Sequence, residues 1–143
     1  MLLIVVLFVG LVQLKKGEIK MAYDKPMYQT IVAPANASLS TAAHVFQGQG
    51  PVGKTGRIVH VSMGFTTANS TAAGGLDFGT IGDDDLYGTL SCAAVQADNS
   101  AVVATVAQLA AFTTLPADTL FVVSGDGLGT AGVADIAITI AWS

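Results

Sequence analysis

Large apolar side chains alternate with small or polar ones most strictly near the end of the chain, where Ile136, Ile138, Ile140 and Trp142 interleave with Asp135, Ala137, Thr139 and Ala141. A period of two is that of a β-strand, and one heavy face opposite one light face predicts a half-buried strand packed on a second sheet. Arg57 to Thr66 has the same form, with Val59, Val61, Met63 and Phe65 on one face and Ile58, His60, Ser62 and Gly64 on the other. Around these two anchors the pattern predicts shorter strands: an edge strand at Tyr28 to Val32, then Thr41 to Gln47, Leu76 to Ile81, Leu90 to Val95, Ala101 to Thr114 and Thr119 to Ser124. The Ala-rich stretches are the least decided. Val102, Val106 and Leu109 could form a helical stripe, but the density of Val and Thr and the flanking turns favour strands. The segments between are turn formers: Gly48 to Gly56, Thr67 to Gly75, Gly82 to Tyr87 with three consecutive Asp, Leu115 to Asp118, and Gly125 to Gly132. Seven or eight short strands so punctuated predict an all-β fold, a single β-sandwich with jelly-roll topology favoured.

At 143 residues one core is expected. Three segments are expected within it: a hydrophobic leader over 1–20, an N-terminal arm over 21–40 and the sandwich over 41–143. In the leader, Met1 to Val12 is apolar apart from Gly10. It is short for a membrane span, which needs ~20 apolar residues, and it lacks the preceding cation and close cleavage site of a signal peptide. Lys16-Gly17-Glu18 can be encoded by a ribosome-binding sequence just upstream of Met21, so Met21 is read as the initiator and Met21 to Ser143 as the functional unit. An export signal or membrane anchor, and an ordered N-terminal element, are the other readings. A membrane is expected as a partner only if residues 1–20 are retained.

Charge narrows the choice of partner. Charged residues make up 11% of the chain, so small and hydroxylated side chains must cover much of the surface, which suits a packed neighbour. The net charge is −4; Lys15, Lys16, Lys20 and Glu18 give the leader +2 and leave −6 to the rest. Nucleic acid is not expected as a partner, because phosphate binding needs clustered Lys and Arg. The single cysteine, Cys92, is expected as a small buried apolar side chain.

No motif carries a reaction. Gly48 to Thr55 spells a phosphate-binding loop, but Gly56 and an alternating strand follow where the helix should begin, so the stretch is read as a hairpin-type loop. Asp83, Asp84 and Asp85, joined by Asp77 or Asp126, could offer oxygen ligands to calcium; without EF-hand spacing a solvated acidic turn is the favoured reading. His44 and His60 fall on separate strands and build no triad or zinc site. Both are read as sheet-face residues, with His60 a candidate for an intersubunit contact. Trp142 is expected to anchor the core or an interface. No catalytic, cofactor-binding or metal residue is assigned, and neither an enzyme activity nor a small-molecule substrate is expected.

The succession Gly53-Lys54-Thr55-Gly56-Arg57-Ile58-Val59, Leu76 to Ile81 with Gly82-Asp83-Asp84-Asp85, Leu115-Pro116-Ala117-Asp118-Thr119, and a Gly-rich turn into Asp135 to Ile140 resembles small β-sandwich virion proteins of tailed bacteriophages. Capsid decoration proteins and the capsid-proximal parts of head fibres have this form. The resemblance covers most of Thr41 to Ser143 and implies a non-enzymatic virion protein, made in the host cytoplasm. Such a protein binds the outer surface of a capsid, often as a homotrimer, with the major capsid protein as its partner, and stabilises the shell. The 21–40 arm and exposed loops are the expected capsid contacts. The alternative is an exported or membrane-anchored surface or adhesin β-sandwich, which requires a real leader. A carbohydrate-binding module would need an exposed aromatic platform, and aromatics make up 7% of residues.

Overall fold

A computed structural model describes residues 13–15, 18–20 and 26–143. Of the leader, Gln13–Lys15 (β1) and Glu18–Lys20 (β2) form an antiparallel pair. The apolar run Met1 to Val12 and the proposed initiator Met21 lie outside the described residues. Among the described residues no helix is long and apolar enough to cross a membrane.

Two four-stranded antiparallel sheets form the sandwich. The first has the order β3-β10-β5-β8, from Met27–Ser38, Val133–Trp142, Gly56–Thr67 and Ala101–Val103. The second has the order β4-β9-β6-β7, from His44–Gln49, Leu120–Gly125, Gly74–Thr80 and Asp83–Cys92. Partners are nested: β3 pairs with β10, β4 with β9, β5 with β8, and β6 with β7. The chain thus runs out through four strands and returns through four, which makes the fold a jelly-roll-like β-sandwich.

β10 sits in the middle of the first sheet as its alternation requires. Ile136, Ile138, Ile140 and Trp142 are all at most 1% exposed, against Phe121, Phe78, Leu76 and Leu90 of the second sheet. Burying each such side chain contributes roughly 1.5–3 kcal/mol, so this strand and its neighbours carry the core. Cys92 is buried in the same cluster.

Several local expectations are corrected. On β5 the register passes from Thr139↔His60 to Ile140↔Ile58, which leaves Val59 as an extra residue. This bulge turns Ile58 inward to join Val61, Met63 and Phe65, while Val59 is only half-buried. The triple Asp is not a turn: Ile81 and Gly82 make the turn, and Asp83–Cys92 is a strand at the sheet edge, where charge is tolerated. Within Ala101 to Thr114, only Ala101–Val103 is a strand, and Val106–Ala111 is a helix, α1. Thr105 and Gln108 close a capping box at its start, and the Ala, Leu and Gln that follow favour helix. The edge strand expected within 21–40 is β3, hydrogen-bonded to β10 from Met27 to Ser38, so this part of the expected arm belongs to the sandwich.

Candidate functional site

The loop that spells a phosphate motif is a crossing between sheets. Gly48 and Gln49 end β4 in the second sheet, and Gly56 opens β5 in the first, so the hairpin-type reading is corrected. Gly53 takes a left-handed φ of 68°, and its N–H donates to Asp118 Oδ1 at 3.0 Å. The amide that a phosphate loop would offer to an anion is therefore engaged by the protein's own carboxylate. Thr55 pairs with Ser143 through both backbone groups, each at 3.0 Å, tying the crossing to the end of β10. Beside it lies a cleft of about 390 Å³ lined by Met27, Tyr28, Gln29, Gln49, Gly50 and Pro51. Its amides already have structural partners. Gln29 Oε1 accepts from Trp142 Nε1 at 3.0 Å, and Gln49 Nε2 donates to the Asp118 carbonyl at 2.9 Å.

The outward face of the first sheet is broad and nearly neutral. Strand register sets Tyr28 beside Ala141 and Arg57, Thr30 beside Thr139 and His60, and Val32 beside Ala137, Ser62 and Val103. Asp135, Gly64 and Ala101 form the next row. The middle of the face is thus small (Ala137, Thr139, Ser62 and Gly64) beside His60, with Arg57 and Asp135 at its opposite ends, while the two edges carry exposed apolar side chains: Tyr28 at 65%, Val32 at 68% and Val103 at 52%. Thr30 and Thr139 share a hydrogen bond of 3.0 Å between hydroxyls across the β3–β10 boundary. His60, the candidate intersubunit residue, stands half-buried in this face.

The outward face of the second sheet is polar and acidic. Register places His44, Ser124, Asp77 and Thr89 in one row across all four strands. Asp77 is flanked on its own strand by Gly75 and Gly79, and neighbouring chain comes close to both glycines. A Cβ at Gly75 would stand 2.6 Å from the Leu90 carbonyl oxygen and 3.2 Å from Asp126 Oδ2, and one at Gly79 would strike the backbone of Asp83 and Asp84. From there Asp84 reaches His44, with Oδ1 at 3.5 Å from Nε2. Asp77 accepts from Thr89 Oγ1 at 2.8 Å. Burial pushes the Asp77 carboxyl above its ordinary pKa, partly offset by the Thr89 bond and reinforced by the charges of Asp126, Asp85 and Asp84. A shared hydrogen bond with Asp85 holds Asp83 up as well.

The acidic residues singled out in the sequence therefore do converge, with Asp77 at the centre. Among the described residues, however, no three His, Cys, Asp or Glu are placed to hold a metal ion. Sequence reasoning missed Ser124 and Thr89, which join the cluster through pairing between strands far apart in the chain. The visible trace is the run Gly75, Asp77, Gly79 at alternate positions of β6.

No protein-family model and no curated protein matches the sequence. Solved structures that resemble the chain include two from viruses. A chain of the cyanophage Pam1 capsid asymmetric unit has a TM-score of 0.43 and 18% identity, over 90% of this chain and 94% of that one. A chain from the structure of infectious bursal disease virus, Gx strain, has a TM-score of 0.43 and 14% identity, over 93% of this chain and 36% of that chain.

Proposed function

We propose that this protein is a non-enzymatic structural component of a virus particle that binds the outer surface of the capsid and stabilises it, associating as a trimer. The supporting observation is the outward face of β3-β10-β5-β8. A patch of mostly small side chains, with Arg57 and Asp135 confined to its two ends and exposed Tyr28, Val32 and Val103 along its edges, lets another protein surface approach closely at little desolvation cost. Contacts that are weak singly become firm when repeated around a symmetric shell. The core of the sandwich is independent of this face, so the face can be altered without unfolding the chain.

Binding to empty capsids of the source virus tests the proposal. Wild-type protein should co-sediment with the shells and raise the temperature at which they disassemble. Ala137→Lys, which sets a long cation at the centre of the neutral patch, should abolish both effects while leaving the circular dichroism spectrum unchanged. Equal co-sedimentation of the two proteins, or none by either, would remove the proposal's basis.

A further inference from the structure

The row His44, Ser124, Asp77, Thr89 holds an inconsistency in polar satisfaction. Ser124 is 0% exposed, and among the described residues its Oγ is the one buried side-chain polar atom without a hydrogen-bond partner. The other fully buried polar residue, Asn69, is fully used: its Nδ2 donates to the Ala72 and Ala94 carbonyls, and its Oδ1 accepts from Thr130 N–H at 3.0 Å. Buried polar groups left unpartnered cost stability and mark places with a further role. Ser124 rises from the same outward row as Asp77 and His44, between them in register. Gly75 leaves room for the Asp126 carboxylate and Gly79 for the backbone of Asp83 and Asp84, so these acidic residues border the row as a niche.

The charge around it is also uncompensated. Residues 26–143 hold eight Asp against Lys54 and Arg57, a net −6, and both cations lie on the crossing and on the first sheet. Among the described residues the one ion pair is His44 with Asp84, and it exists as an ion pair only when the imidazole is protonated.

We propose that this niche receives a lysine or arginine side chain presented by a partner protein, with its N–H groups donating to the carboxylates of Asp77 and Asp84 and to the Ser124 hydroxyl oxygen. An ammonium or guanidinium is held well by two carboxylates and a hydroxyl through charge-assisted hydrogen bonds. Among the described residues no three His, Cys, Asp or Glu are grouped to hold a metal ion in their place. Asp84 is the movable wall: its contact with His44 is long, and the two side chains are 39% and 37% exposed. The acidic field draws a basic partner from a distance and orients it. The niche lies on the opposite sheet from the neutral face, so the protein has two partner-facing sides of different chemistry.

The test follows amide shifts of the ¹⁵N-labelled full chain on adding a capped lysine octapeptide, with a capped glutamate octapeptide as control, at roughly 150 mM salt. Saturable shifts are expected at His44, Asp77, Thr89 and Ser124 with the lysine peptide and none with the glutamate peptide. Asp77→Asn, which retains an acceptor for Thr89, should weaken binding about tenfold or more, the worth of a charge-assisted hydrogen bond. Asp98→Asn makes the same charge change at an exposed site outside the row and should alter affinity by less than about twofold. Equal weakening by the two variants would mean diffuse charge attraction and overturn the proposal, as would the absence of saturable shifts. Calcium producing the same shifts and displacing the peptide would overturn it in favour of a metal site.

Discussion

Trp142 is held from several sides, and Gly56 is the residue whose replacement tests that packing most sharply. A Cβ at position 56 would stand 2.5 Å from Trp142 Cζ3, 2.8 Å from Cε3 and 2.9 Å from Cη2. The ring cannot retreat easily, because Nε1 donates to Gln29 at 3.0 Å and the indole centroid lies 6.4 Å from that of Phe121. The backbone is fixed too: Gly56 exchanges hydrogen bonds of 2.9 and 2.8 Å with Leu115. Overpacking of this kind costs about 1–3 kcal/mol, and a weakened indole hydrogen bond about 1 kcal/mol more. Replacing a strand glycine offsets roughly 0.5–1 kcal/mol of that. Gly56→Ala should therefore lose about 2 kcal/mol. Gly64→Ala is the matched control on the same strand, since a Cβ there meets nothing within 4 Å, and it should be neutral or stabilising by up to about 1 kcal/mol. Urea denaturation followed by fluorescence suits the comparison, because the chain has one tryptophan. Equal midpoints for Gly56→Ala and wild type, with unchanged tryptophan emission, would refute the packing argument.

Three further outcomes are expected. Ser124→Ala removes a buried hydroxyl that has no protein partner, so thermal unfolding should show a cost below about 0.5 kcal/mol or a gain of about 1 kcal/mol, and a loss above 2 would show that the hydroxyl is satisfied. Because the folded Asp77 carboxyl titrates above its ordinary value of 3.8, the folded state binds the proton more tightly than the unfolded chain. Its ionisation lowers stability as pH rises from near 3.8 through the raised folded pKa, and Asp77→Asn should flatten that decline in a series of denaturation curves. Thr105→Ala opens the capping box of α1, in which Gln108 N–H donates to Thr105 Oγ1 at 3.3 Å and Thr105 N–H to Gln108 Oε1 at 2.8 Å; equilibrium unfolding should register a loss of about 1 kcal/mol.

What the sequence made legible follows from which physics is local. β10 and β5 were readable because alternation is written into adjacent residues, and it survives in the structure as a buried Ile and Trp ridge. The bulge at Val59 was not, because Ile58 and Val59 are both apolar and either could face inward. The register with β10 decides between them. α1 carried its signal in Thr105 and Gln108, but a helix of six residues is too short for periodicity to outweigh neighbouring Val and Thr. The acidic residues were legible as types and not as an arrangement. Asp77 meets Ser124, His44 and Thr89 only through strand register, and Asp84 meets His44 from a strand whose backbone comes close to Gly79. The neutral face was foreshadowed by the low charge content, while its limits at Tyr28, Val32 and Val103 depend on β3 and β8 being the two edges of one sheet.

Cysteine protection at Val32 tests the proposed role most directly. Val32 is 68% exposed at the border of the neutral face, and the native thiol of Cys92 is 5% exposed and supplies a low background. A maleimide should label Val32→Cys fully in the free protein and leave it unlabelled in particles purified from the source virus. Equal labelling in the two states, or particles that lack the chain altogether, would contradict a virion role for this face.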